Sequence, residues 1–172
     1  MRLVAARDAA AFRTLVDRHA ARPHRIAWRM LGEGSEAEDV TQESLMRLWK
    51  AAPRWHAGGP GVSPWLARVA TNISIDRLRR RARISDAPVP ERADEAPRAD
   101  EAITLEENRQ AVLRSLERLP ERQRAAIVLT YYEGVSNSAA SEMLDMNVRA
   151  FESVLRRARA ALKASLMGAA DV

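Results

Sequence analysis

The sequence contains no cysteine, which excludes disulfide bonds and thiolate metal sites. Aromatic residues make up only 5% of the chain, and no β-branched or aromatic run alternates with polar residues, so no β-sheet is expected. No stretch approaches the roughly 20 apolar residues of a membrane span, and the sequence does not begin with an apolar signal segment. We therefore expect a cytoplasmic protein without direct insertion into a membrane.

Residues that could carry catalysis are also scarce. His19, His24 and His56 do not show the spacing of metal ligands. No HExxH motif, glycine-rich phosphate loop or nucleophile elbow is present. We therefore predict no enzyme activity, no catalytic residues, no metal, no cofactor and no small-molecule ligand.

The residues that are abundant favour helices. Alanine, leucine, arginine and glutamate dominate the chain, which predicts an all-α fold. Lysine and arginine number 28 against 23 aspartates and glutamates, for a net charge of +5. A surplus of this size does not identify a binding partner by itself, so the positions of the charged residues along the chain have to be examined.

The composition changes sharply over 84–101. This stretch holds three prolines, six acidic residues and two arginines, with almost no large apolar side chain. Such a segment cannot bury a core, which predicts a flexible acidic linker. We therefore expect two small helical domains, 1–83 and 105–172, joined by a linker at 84–104.

Several local signals set the helix boundaries expected in the first domain. Asp8 is a candidate N-cap, and Pro23 should end or kink a helix. Ser35 and Glu38 have the spacing of a capping box. Ser63–Pro64 reads as an N-cap followed by a first-turn proline, which predicts the start of a long helix.

In the second domain, Pro120 is expected to start a helix and Gly134 to end it. Between them, Ile127, Val128 and Tyr131 are predicted to face the core.

The segment 136–159 has the pattern of a helix-turn-helix. Ser136 and Asn147 are candidate N-caps, and Asp145–Asn147 is the predicted turn. Apolar residues recur at helical spacing and are predicted to face inward: Ala140, Met143, Leu144, Val148, Phe151, Val154, Leu155 and Ala158. The opposite face of the second helix is rich in arginine, which suits a DNA major groove. An ordinary core helix with a solvated basic face would have the same pattern.

Four motifs follow one another in an order that resembles a known family. They are EDVTQESLMRLWK at 38–50, SPWLARVATNISIDRLRRRAR at 63–83, LERLPERQRAAIVLTYYEGVS at 116–136, and the helix-turn-helix. The chain resembles the extracytoplasmic-function (ECF) sigma factors, the smallest sigma factors of bacterial RNA polymerase. The resemblance implies sigma domains 2 and 4, binding to the β and β′ subunits of core RNA polymerase, and recognition of promoter DNA at two elements.

The resemblance also implies residue roles. The surface that docks on the polymerase corresponds to Asp39, Gln42, Glu43, Leu48 and Trp49. Contacts with the minus-ten element, including a loop that captures a flipped base, correspond to Gly58, Gly59, Ser63, Arg68, Asn72, Arg77, Arg79, Arg80 and Arg81. Contacts with the minus-thirty-five element correspond to Arg149, Glu152, Ser153, Arg156, Arg157 and Arg159.

Some positions depart from the family pattern. Family members usually carry a bulky aliphatic residue at Ala140, often a glycine at Asp145, and often a basic residue at Glu152 and Val154. Glu152 could accept a hydrogen bond from a cytosine amino group, or merely balance the neighbouring arginines.

The tryptophans have two interpretations, core packing or base stacking. We expect Trp28 and Trp65 in the core and Trp55 in the most open position.

Regulation is expected to come from outside the chain, because the sequence has no sensor of its own. The resemblance implies an anti-sigma factor as a partner, which would hold the chain at the inner membrane if it is itself membrane-bound. The acidic linker would lie in the RNA-exit path, unless it is only a soluble spacer.

Two other functions also fit the residues. One is a stand-alone helix-turn-helix regulator whose first domain dimerises or binds a ligand. The other is a basic interaction protein with no DNA sequence preference.

Overall fold

The structure, a computed structural model, describes residues 1–56, 58–59, 61–85 and 112–170. Within these ranges every regular element is helical, as the composition predicts. The helices are α1 (Arg2–Ala5), α2 (Ala9–His19), α3 (Ala21–Leu31), α4 (Gly34–Ala51), α5 (Val62–Ser85), α6 (112–117), α7 (Glu121–Ile127), α8 (Asn137–Met143) and α9 (Val148–Ala170). A 3-10 turn, Ala52–Arg54, follows α4, and a π-turn, Val128–Tyr132, follows α7. Apart from its first two residues, the predicted linker 84–104 lies outside the described residues.

Three predicted caps are confirmed. The side chain of Asp8 accepts a hydrogen bond from a backbone N–H of α2. Ser136 does the same for α8 at 3.3 Å, and Asn147 for α9 at 2.8 Å. Each cap satisfies an N–H group that the first turn of a helix leaves without an internal partner. The caps fix where the two helices of the helix-turn-helix begin.

Two other predicted helix starts are wrong. The Ser35 hydroxyl lies inside α4 and donates to the Glu33 carboxylate at 2.8 Å, so no capping box forms. Helix α5 begins before Ser63, whose hydroxyl accepts a hydrogen bond from Arg22 at 3.0 Å. Pro64 still lies in the first turn, where its missing N–H costs nothing.

Helix breaks follow the expected residues. The break near Pro23 falls at Ala20, which leaves the proline in the first turn of α3. Gly32 ends α3 with φ +75°, and Gly134 follows the π-turn with φ +63°. Both glycines adopt left-handed backbone, which is strained for residues with a Cβ.

We call α1–α5 the N-lobe and α6–α9 the C-lobe. In the N-lobe, α3 packs against α4 and α5, and in the C-lobe α9 packs against α7 and α8. Helix α3 also packs against α7 and the π-turn, and α5 packs against α7, so one continuous apolar cluster crosses from lobe to lobe. The largest fully buried side chains of the two lobes are Ile26, Met30, Leu48, Leu66, Leu116, Leu129 and Phe151.

Two residues predicted to face the core are exposed instead. Tyr131 is 56% exposed because the π-turn changes the helical phase after Ile127. Val148, the first residue of α9, is 39% exposed. Trp28 and Trp65, predicted in the core, are only partly buried against apolar clusters. Trp55, predicted as the most open, is partly buried against the same cluster as Trp65.

Candidate nucleic-acid interface

Helices α8 and α9 form the predicted helix-turn-helix. Buried side chains between them hold the pair together: Ala140, Met143, Leu144, Phe151, Leu155 and Ala158. The turn passes through Asp145, which has φ +51°. Packing of this face leaves the other side of α9 free for a partner.

That other side carries the residues predicted to contact the minus-thirty-five element. Arg149, Glu152, Arg156, Arg157 and Arg159 are exposed, and Ser153 is half-buried. The structure thus brings all six onto the outer surface of one helix. A rigid helix surface of this kind can present several side chains to a groove at once.

A shallow cavity with a volume of about 480 Å³ opens along this face. Most of its lining comes from the same set, with Asn137 added from the first turn of α8: Asn137, Arg149, Glu152, Ser153, Leu155, Arg156 and Arg159. Three guanidinium groups around one carboxylate can bind phosphate or base edges. Asn137 was not predicted, although its place directly after the Ser136 cap could have indicated it.

Arg159 is turned toward the π-turn. Its Nη1 donates to the Tyr131 hydroxyl at 3.5 Å. Beside this contact lies an apolar cavity of about 610 Å³, lined by Ile127, Tyr131, Tyr132, Arg159, Leu162, Lys163 and Leu166. Helical periodicity does not predict this cavity, because it places Tyr131 in the core.

The N-lobe has an aromatic and basic cavity of about 320 Å³ beside the predicted base-capturing loop. It is lined by Lys50, Ala51, Arg54, Trp55, His56, Gly59 and Trp65. The rings of Trp55 and Trp65 meet edge to face with centroids 5.8 Å apart. Gly58, next along the loop, has φ +106°, a conformation that favours glycine. An aromatic wall with cations at its rim can hold a base and its phosphate.

Arginines on α5, predicted as minus-ten contacts, already have acidic partners. Arg68 lies 2.6 Å from Asp145, and Arg79 lies 3.0 Å from Glu121, both in the C-lobe. The exposed Arg80 has no ion pair among the described residues. Two of the predicted DNA contacts are thus engaged by the other lobe.

The remaining α5 residues of that set are paired within the N-lobe or partly covered. Arg81 lies 2.5 Å from Glu36 and also donates to the Leu31 carbonyl. Asn72 is half-buried. The Ser63 hydroxyl accepts a hydrogen bond from Arg22, and neither Ser63 nor Asn72 lines the aromatic cavity.

The predicted polymerase-docking face lies on α4. Asp39 and Gln42 are exposed, and Glu43 is half-buried. Arg77 lies 3.7 Å from Asp39 and 3.9 Å from Glu43, so one guanidinium bridges two predicted docking residues.

The two apolar members of the docking set, Leu48 and Trp49, are more buried than Asp39 and Gln42. Leu48 is fully buried, because its position on α4 points into the N-lobe core; it supports the face from beneath. Trp49 is half-buried, with Phe12 against its ring at 4.8 Å and the Arg7 guanidinium above it at 5.1 Å.

The entry to α7 carries two perturbed ionisable groups. Burial alone would raise the pKa of Glu121, but the hydrogen bond from Arg79 holds that pKa below its ordinary value. Arg124 is 5% exposed and donates to the carbonyls of Met30, at 2.5 Å, and Glu117. Burial lowers the pKa of Arg124, while the Glu117 carboxylate acts in the opposite sense.

In the described ranges, no group of three or more acidic, histidine or cysteine side chains could hold a metal ion. Among these same residues, no helix is long and apolar enough to span a membrane.

Comparison with known proteins adds family evidence to this geometry. Residues 15–84 match the family Sigma-70 region 2, and residues 109–162 match Sigma-70, region 4. The ECF RNA polymerase sigma factor SigE of Mycolicibacterium smegmatis is 35% identical over 153 residues, which is 87% of this chain. The chain covers only 59% of that relative. SigK of Mycobacterium sp. (strain KMS) is 32% identical over 163 residues, covering 91% of this chain and 83% of SigK.

Solved structures show the same fold. CnrH, in complex with the cytosolic domain of CnrY, matches with a TM-score of 0.68 and 29% identity over 97% of both chains. The sigma factor RpoE of Bartonella quintana, in complex with the anti-sigma factor NepR, matches with a TM-score of 0.70. That match has 24% identity over 91% of this chain and 97% of RpoE. With two sigma-70 regions in order, and with SigK 32% identical and covered over 83% of its length, this chain belongs to the ECF sigma factors of bacterial RNA polymerase.

Proposed function

We propose that this chain is a transcription-initiation factor, not a catalyst, that binds core RNA polymerase and guides it to promoters of a signal-responsive set of genes. The observation that carries the proposal is the arginine face of α9 on a capped helix-turn-helix. The N-lobe, with the aromatic cavity, is the partner site for the minus-ten element. In this proposal residues 1–83 are sigma domain 2, 84–104 the linker and 105–172 sigma domain 4.

The docking face for polymerase is Asp39, Gln42 and Glu43, with Trp49 beside it. Two exposed or half-exposed carboxylates on one helix face suit a basic helical partner. Because Arg77 now bridges both carboxylates, a cation on the polymerase would replace it.

Charge reversal tests the docking face. Asp39→Arg with Glu43→Arg should abolish binding to core polymerase without DNA. A matched control, Asp17→Arg with Asp76→Arg, reverses two exposed acidic residues elsewhere in the N-lobe and should bind normally. Equal affinity for both folded double variants would remove this assignment.

The aromatic cavity of the N-lobe is proposed to receive a flipped base of the minus-ten element. Trp55 and Trp65 supply the surface that replaces lost base stacking, and Lys50 and Arg54 face the phosphates. Trp55→Ala should weaken binding of the holoenzyme to a single-stranded minus-ten oligonucleotide by about 1–3 kcal/mol, whereas Trp55→Phe should keep most of the affinity. If the two variants lose equal affinity, the ring does not stack on a base.

A dedicated anti-sigma factor is proposed to hold the chain inactive in the cytoplasm, or at the inner membrane if that partner is anchored there. The likeness of the fold to RpoE and CnrH, each solved with a partner, supports this. Copurification from the native host should yield a small partner in equal amount. A free, constitutively active protein would count against it.

A further inference from the structure

The interface between the lobes has a consistent charge arrangement. Four ion pairs join N-lobe arginines to three C-lobe carboxylates: Arg22 and Arg25 to Glu133, Arg68 to Asp145, and Arg79 to Glu121. The arginine is on the N-lobe in every one of these pairs. Charge attraction between the lobes therefore adds to the apolar cluster that crosses from one lobe to the other.

Glu133 is the most deeply placed of the three acidic partners. Its side chain is 3% exposed, whereas that of Asp145 is 70% exposed. It lies 2.9 Å from Arg22 and 3.6 Å from Arg25, both on α3. An exposed ion pair contributes little, but removing one partner of a buried pair leaves an uncompensated charge. Glu133 is therefore the contact whose loss should matter most to closure.

Neighbouring contacts join Arg22 to α5 and the π-turn to α3. Arg22 also donates to the Ser63 hydroxyl at 3.0 Å, which ties it to the start of α5. One turn further along α3, the Arg29 guanidinium lies over the ring of Tyr132 at 4.5 Å. Arginines on successive turns of α3 therefore contact Tyr132, the last residue of the π-turn, and Glu133, the residue directly after it.

A closed chain is too small to contact both promoter elements at once. A compact protein of this length has a radius of gyration of about 16 Å, which corresponds to a diameter of about 40 Å. Elements centred near minus ten and minus thirty-five are about 25 base pairs apart, or about 85 Å of straight duplex. The chain between the lobes, at about 3.3 Å per extended residue, has an upper reach of about 85 Å.

We propose that Glu133, with Arg22 and Arg25, is a latch that holds the free chain closed, and that this latch must open before both lobes can engage a promoter. The closure itself follows from the interface alone. Its inhibitory effect rests on the proposed function, because it concerns binding to polymerase and DNA. In the closed state Arg68 and Arg79 are engaged by C-lobe carboxylates, so opening also frees two proposed DNA contacts.

Fluorescence energy transfer between the lobes tests the latch. The chain has no cysteine, so Ala10→Cys on α2 and Ala164→Cys on α9, both exposed, give two specific labelling sites. The latch variants are Arg22→Ala with Arg25→Ala and, separately, Glu133→Gln, which keeps the shape of the side chain. The matched control is Arg13→Ala with Arg18→Ala. It makes the same charge change with two arginines of α2 that are exposed and have no ion pair among the described residues.

Both latch variants should lose transfer efficiency in the free chain, and the control should match the parent. Unchanged transfer in both latch variants, with circular dichroism showing folded protein, would overturn the latch. Equal loss in the control would also overturn it, since a general charge effect would then explain the change.

Affinity of the polymerase complex for a duplex carrying both promoter elements tests the inhibitory effect, because Asp39 and Gln42 of the docking face are already exposed in the closed chain. If about one tenth of the chain is open, complete opening should strengthen apparent promoter binding about tenfold. Lower transfer with unchanged affinity would overturn the inhibition while leaving the latch. If the parent chain does not bind polymerase at all, the proposed function fails, and the transfer measurement still decides the latch.

Discussion

The guanidinium of Arg68 on α5 lies 2.6 Å from the carboxylate of Asp145, in the turn between α8 and α9. Arg68 is a proposed minus-ten residue, and Asp145 precedes the helix proposed to read the minus-thirty-five element. The pair therefore joins the two proposed DNA-binding surfaces directly. Both side chains are largely exposed, so the contact is easy to exchange for another partner.

Asp145 also has left-handed backbone, φ +51°, which costs free energy for any residue with a Cβ. Asp145→Asn and Asp145→Gly both remove the ion pair with Arg68, but only glycine removes the free-energy cost of the left-handed backbone. We expect the glycine variant to be more stable than the asparagine variant by about 0.5–1 kcal/mol in urea unfolding. Equal stability of the two variants would mean that this backbone carries no strain.

Arg124 should be the most sensitive arginine of the C-lobe. It is 5% exposed and donates to two carbonyls, one of them on Met30 in the other lobe. Arg124→Met leaves these buried acceptors unpaired, so we expect a loss of about 2–4 kcal/mol in the free energy of unfolding. The control is Arg122→Met, an exposed arginine on the same helix, which should change stability by less than about 0.5 kcal/mol. A similar loss in both variants would show that the buried hydrogen bonds are not the cause.

On α9, Arg156 and Arg159 are expected to differ in what they contribute. Arg156→Ala should cost about 1–3 kcal/mol at one promoter position, because a bidentate base contact is lost. Arg159→Ala should weaken all sequences alike and lower the salt slope by about one, as for a phosphate contact. A promoter-library selection at two salt concentrations measures both effects. Uniform losses in both variants would contradict the base-reading role of Arg156.

Glu152 is exposed on the same face and lines the same shallow cavity. If it accepts a hydrogen bond from a cytosine amino group, Glu152→Gln should change the preferred base at one position. If it only balances Arg149 and Arg156, the variant should bind slightly more tightly without changing preference. The same library selection distinguishes the two outcomes.

Glu121 gives the interface a dependence on pH. The hydrogen bond from Arg79 holds the pKa of Glu121 below its ordinary value despite burial, which acts in the opposite direction. A carboxyl with a depressed folded pKa stabilises the fold above its unfolded pKa, near 4.3 as a rough value, and loses that contribution as the pH falls through the folded pKa. The parent chain should therefore be more stable than Glu121→Gln at pH 6, and the difference should shrink toward pH 3. A difference that stays constant over this range would contradict the assignment.

The parts of the fold that could be predicted from sequence are local. Ser136 and Asn147 cap the helices that directly follow them, and their partners lie three residues away. Gly134 ends its element through a backbone conformation that only its own residue type favours. Such features depend on a few neighbouring residues, so the order of residues contains the needed information.

The parts that could not be predicted depend on packing between distant segments. Arg68 and Asp145 are separated by 77 positions, and no periodicity relates them. Ser63 has the residue type of a cap, yet it accepts a hydrogen bond from Arg22 on another helix. Helical periodicity placed Tyr131 in the core because it assumed a regular α-helix up to Gly134.

The π-turn Val128–Tyr132 closes a hydrogen bond from the Glu133 N–H to the Val128 carbonyl at 3.1 Å, a ring one residue wider than in an α-helix. Each added residue of an α-helix rotates the next side chain by about 100°. A relative with one residue fewer at this point would present its counterpart of Glu133 well away from an arginine in the position of Arg22. Segment length in an alignment, more than conservation of the acidic residue, should therefore separate the relatives that close in this way from those that do not.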